Sequence, residues 1–169
     1  MNAGLLRRAL GLAWLLSLCL GAHADLYDDV ERLLRNQQFD KAQQAITQRL
    51  AQAPQDPQMR LLASRLHDAR GQTEQALDTL EALTREFPEL PEPHNNLAVL
   101  YARQGRLQEA LAALQRAVQA RPDYAVALEN LGDLHLGLAL QAYQQARQSP
   151  NPPPSAARKA EALAPWLPR

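Results

Sequence analysis

Cysteine is all but missing from this chain of 169 residues: Cys19 stands alone, so no intrachain disulfide can staple the fold. Its longest apolar run, Ala9 to Leu20, has 12 residues. A bilayer-spanning helix needs about 20. Aromatic residues make up 5% of the chain, and lysine occurs only as Lys41 and Lys159. That leaves neither the stacking platforms nor the basic stripe on which nucleic-acid binding depends. No glycine-rich loop is present to cradle phosphate, and no two histidines stand at metal-ligand spacing. His67 and His135 are 68 residues apart, and His94 stands between them. The carboxylates Asp28, Asp29 and Glu31 open a helix, where they favour the positive end of its dipole without any catalytic role. These absences imply no cofactor, no metal and no catalytic constellation, and direct attention to shape.

The start of the chain reads as an address. Arg7 and Arg8 precede the apolar run, and Ala22-His23-Ala24 is a small-x-small site followed by Asp25. This is the pattern of a secretory signal peptide, 1–24, cleaved after Ala24. The expected setting is the periplasm, with no membrane span left after cleavage. Leu18 before Cys19 argues against a lipid anchor. Without Arg7 and Arg8, 16 of the 18 basic residues remain against 18 acidic ones, a net charge of −2.

What is present is a period. Ala42, Ala76 and Ala110 are 34 residues apart, and so are Pro54, Pro88 and Pro122. Gln37, Gly71 and Gly105 keep this interval, as do Ile46, Leu80 and Leu114. A period of this length marks a stack of helical hairpins, each too small to bury its own apolar face. Within a period, Leu107, Ala110, Leu114 and Ala117 recur at steps of three and four, one face of a helix. One period earlier stand Thr73, Ala76, Leu80 and Leu83, and one earlier still Phe39, Ala42, Ile46 and Arg49. Thr73 and Arg49 interrupt the apolar pattern. Gly71 and Gly105 fit left-handed helix ends. Pro54, Pro88 and Pro122 stop the second helices, while Pro57, Pro91 and Pro93 fall in the tolerant first turn of the next.

His94-Asn95-Asn96-Leu97-Ala98, Tyr101, Gly105, Glu109-Ala110, Leu114, Ala117 and Pro122 together resemble a tetratricopeptide repeat (TPR). The resemblance covers roughly 25–147, in repeats 25–56, 57–90 and 91–124. It implies an all-α, right-handed α-solenoid of antiparallel helix pairs. It also implies a concave groove lined by Tyr27, Glu31, Leu61, Arg65, Asn95, Asn96, Val99, Glu129, Asn130 and Asp133. The implied function is a non-enzymatic scaffold of the exported bacterial type, binding a protein or peptide partner. The set of lysines and arginines with which some members hold a terminal carboxylate is not reproduced, since Glu129 and Asp133 are acidic.

The fourth unit departs from the period. Leu128, Asn130, Leu131, Gly132 and His135 arrive on schedule, but Ala142 to Ala146 resembles a second-helix motif about five residues early. The spacing predicts that turn residues are missing and that one fused helix, 125–148, replaces the hairpin; a compressed hairpin is the alternative. Ser149 to Pro154 reads as an extended linker. The segment 155–169, with Ala156, Ala160, Leu163, Trp166 and Leu167, is expected to fold back as a cap. Its rivals are a disordered tail and a homodimer through the fused helix. The competing functions are such a self-assembling module and a regulatory subunit of an envelope enzyme.

Overall fold

The computed structural model describes residues 26–166. The expected signal peptide and its cleavage site lie outside the described residues. All regular structure among the described residues is helical. Helix α1 covers 26–35. It is followed by α2 (Phe39–Gln52), α3 (Pro57–Ala69), α4 (Thr73–Glu86), α5 (Pro91–Arg103), α6 (Leu107–Ala120), α7 (Ala125–Arg147) and α8 (Pro154–Leu163). A single turn of 3-10 helix, Ala164–Trp166, ends the described chain. These are eight helices packed pairwise as TPR-like repeats. None is long and apolar enough to cross a membrane.

The chain forms two compact units that part within α4, after Thr79. In the first unit Val30, Ala42, Ile46, Met59, Leu62 and Leu66 make a continuous core. The predicted face of α2 supplies Ala42 and Ile46, while α3 supplies Met59, Leu62 and Leu66. Arg49 breaks that face for a reason. Its Nε donates to Asp56 Oδ2 at 2.7 Å, and Asp56 caps α3 by accepting from the Met59 backbone N–H at 3.1 Å. A cation at a seam position is tolerated because a buried carboxylate sits beside it.

In the second unit α5 packs along α6. His94, Leu97, Ala98 and Tyr101 of α5 are buried, as are Ala110, Ala113, Leu114 and Ala117 of α6. The Tyr101 hydroxyl donates to Glu81 Oε1 at 2.9 Å. The turns repeat as well. Gly71 and Gly105 both have φ of +73°, and Gln37 holds the same left-handed place at +56°. The backbone N–H groups of Gln38, Gln72 and Arg106 each reach back five residues, to Leu33, His67 and Tyr101. This closes the helix ends as a Schellman motif does.

The fourth unit is one unbroken helix of 23 residues. With no turn residues to reverse the chain, the ladder of backbone hydrogen bonds continues through Gly132 and Gly137. Two expectations at the C-terminal end need correction. Pro154 does not belong to the linker but is the first residue of α8, since a proline lacks only an N–H that would be unpaired there. Trp166 does not pack and is 75% exposed. Instead, α8 packs on α7 through the small side chains of Ala156 and Ala160, which are buried. Lys159 Nζ lies 5.2 Å from the centre of the Tyr143 ring. Leu167 lies outside the described residues.

Candidate functional site

The positions expected to line a groove separate into engaged and open ones. In the first unit Tyr27 donates to Asp56 Oδ2 at 2.8 Å. Burial, and then the neighbouring carboxylate, push its hydroxyl pKa up. Burial tends to raise the Asp56 carboxyl, but Met59 N–H, Tyr27 and Arg49 together overcome this and hold it below the usual range. Arg65 pairs with Glu31 Oε1 at 3.0 Å, and both stay partly exposed. Leu61 is buried and offers no free surface.

In the second unit Asn95 is engaged as well. It is buried, and its Oδ1 accepts from Asn130 Nδ2 at 2.8 Å, which ties α5 to α7. Asn96 lies beside it, with Oδ1 at 3.4 Å from Asn95 Nδ2. Asn130 therefore serves helix packing first. Val99 is 40% exposed, Glu129 is exposed and Asp133 is partly exposed.

Three expected residues meet in one place. Val99 on α5 and Asn130 and Asp133 on α7 line an open cleft of about 630 Å³. Its apolar lining comes from Ala98, Leu107, Leu114 and Leu134. Asp133 and Glu129 lie one helical turn apart on α7, and no described residue pairs with either carboxylate. Arg103 is the cation of the lining. Such a cleft can take apolar side chains on its apolar lining and a cation at its α7 rim, but it holds no nucleophile with an adjacent base and no metal-ligating group of three.

His94, a residue of the family-like pattern, borders a separate cleft with Glu89 and Arg116. Its Nε2 is 3.1 Å from the Pro88 carbonyl oxygen. Burial, helped by the charge of Arg116, lowers its pKa. This is a packed histidine with a satisfied ring nitrogen.

The family model described as "Tetratricopeptide repeat" matches residues 27–91, 61–125 and 95–153. The chain belongs to the tetratricopeptide repeat family. Its TPR fold is also seen in solved structures. The crystal structure of the Sgt2 TPR domain from Aspergillus fumigatus superposes with a TM-score of 0.61 at 19% identity, over 76% of this chain and 83% of that one. The structure of Naa15/Naa10 bound to HypK-THB gives a TM-score of 0.62 at 16% identity, over 83% of this chain. This TPR chain spans only 22% of the length of that relative. No curated protein matches the sequence. Identities this low establish the TPR fold alone.

The cleft residues absent from the expected groove are Ala98, Ala102 and Arg103 of α5, Leu107 and Leu114 of α6, and Leu134 and Gly137 of α7. Leu107 follows the Gly105 turn directly, and that adjacency was the available signal. Leu134 was not distinguishable, because it continues the 34-residue series Leu66, Leu100, Leu134, whose earlier members are buried core residues.

Proposed function

We propose that this TPR protein is a non-enzymatic docking scaffold of the cell envelope, holding a segment of a partner protein in the cleft between α5, α6 and α7. The observation that carries the reading is the joint placement of Val99, Asn130 and Asp133 around an apolar lining. TPR repeats are protein-interaction modules, which supports a protein ligand. The two carboxylates on α7 favour a segment whose apolar anchor is flanked by lysine or arginine. The leader-like sequence of 1–24 supports the envelope as the setting and the exported bacterial type as the class.

Site-specific photo-crosslinking tests this in the native cell. A photoreactive residue at Val99 is compared with one at Gln115, which is exposed on α6. A discrete adduct from Val99 alone, recovered from the envelope fraction, is the expected result. No adduct, or the same smear from both positions, would overturn the docking reading. Adducts recovered only from the cytosol would remove the envelope setting.

A further inference from the structure

The second unit contains a seam with one side missing. Helix α5 packs along α6, and its residues His94, Leu97, Ala98 and Tyr101 are each buried; Ala98 is only 1% exposed. One period later α7 carries Leu128, Leu131, Gly132 and His135 at the matching places. Here the second helix of the repeat is absent, because the chain continues as α7 itself. Leu128 is 44% exposed, and His135 is exposed. A Cβ added to Gly132 would meet nothing within 4 Å, whereas the equivalent Ala98 is almost fully buried.

Helical geometry shows that this stripe is separate from the packed face. Ala127 and Leu134 are the two residues that α7 buries. At about 100° per residue, Leu134 lies on the side of α7 opposite Gly132, while Ala139 and Tyr143 fall within about 20° of it. The stripe Leu128, Gly132, His135, Ala139, Tyr143 therefore runs the length of α7. Its C-terminal end is in contact with α8, where Lys159 covers Tyr143. Helix α8 has only 10 residues, about 15 Å. The N-terminal half of the stripe continues this interface and is left uncovered by any described residue.

We propose that this half-seam accepts an amphipathic helix from a partner protein, in the place of the missing second helix. The chemistry of the occupant is given by α6, which packs along α5. It needs a small residue at the crossing point, a branched apolar residue four positions on, and another small residue three further, as in Ala110, Leu114 and Ala117. Gly132, with no side chain, permits an approach at least as close as that at Ala98. A second copy is a poorer occupant. The exposed positions Leu128, Gly132 and His135 span only about 10 Å of α7, a patch too short to approach the roughly 800 Å² per partner that a stable dimer buries. This site is distinct from the cleft at Val99, and either can fail without the other.

The probe is a synthetic peptide with the sequence of Leu107–Ala120, added to the full chain and followed by titration calorimetry. Saturable binding is expected. Leu128→Glu and Gly132→Glu, each at an open position, should leave the helical content unchanged and weaken binding by about tenfold or more. A peptide carrying Glu in place of the alanine equivalent to Ala110 should not bind, while Val99→Asp in the chain should leave binding intact. Absence of saturable binding would overturn the proposal. So would binding that is indifferent to both α7 variants, because the peptide would then be replacing the chain's own α6. A molar mass of two chains that falls to one in Leu128→Glu would also overturn it, by assigning the face to a second copy.

Discussion

Arg49 Nε lies 2.7 Å from the Asp56 carboxylate oxygen that also accepts the Tyr27 hydroxyl. Asp56 thus joins three helices: it caps α3, anchors α2 through Arg49, and holds α1 through Tyr27. Asp56→Asn should cost about 1–3 kcal/mol, from a weakened cap and a half-buried arginine left without its charge partner. The effect also has a pH signature. The folded carboxyl is held below its ordinary value, which is near 4. The stabilisation is therefore complete above about pH 4 and is lost as pH falls through the folded value. Urea midpoints measured from pH 7 down to pH 3 should show a shallower acid limb in Asp56→Asn than in the parent chain.

His94 predicts a second, milder acid effect. Its ring is depressed below the ordinary histidine value by burial and by Arg116. The unfolded chain takes up the proton more readily, so stability falls as pH drops through about 6.5 toward the folded value. Replacing His94 by Gln should flatten thermal midpoints between pH 7.5 and 5.5. An unchanged slope in that variant would assign the effect to another group.

Asn130→Ala leaves the buried Asn95 oxygen without its donor and should cost about 1–2 kcal/mol. In a double-mutant cycle with Asn95→Ala the two losses should be less than additive, because they share one hydrogen bond. Denaturant midpoints give the coupling directly. Asn130 is thus a poor probe of partner binding, since its loss loosens α5 from α7 as well.

Ala110 is fully buried on α6. Ala110→Glu places a carboxylate in a buried helix contact, and the penalty of several kcal/mol should abolish cooperative unfolding of the second unit. Arg65→Ala, by contrast, removes a partly exposed ion pair and should shift stability by no more than about 0.5 kcal/mol. Circular-dichroism melts of the two variants should therefore differ sharply.

Much of the architecture was legible because it repeats. The 34-residue interval located the helix pairs, Gly71 and Gly105 marked the left-handed turns, and the early arrival of Ala142 announced that α7 would not reverse. The binding face was less legible. Leu61 and Asn95 hold the groove position of their repeats, yet both are buried. Burial there depends on which side chain stands opposite on another helix, such as Asn130 for Asn95, and a periodic pattern carries no such information. Arg49 looked like a defect in an apolar face until its partner, seven residues on, was found to be a helix cap. Trp166 shows that a large apolar side chain does not guarantee burial when α8 ends before reaching a surface to cover.

The unbroken α7 also has a mechanical meaning. Its 23 residues make a strut of about 35 Å, with no hinge between the half-seam at Leu128 and the contact of Tyr143 with α8. A helix seated at one end that tilts this strut by a few degrees sweeps the other end through a few ångströms. The weight of the displacement falls on the short Pro-rich joint at 149–153. Occupancy of one end of α7 and the position of the chain's tail are thereby two readings of one lever.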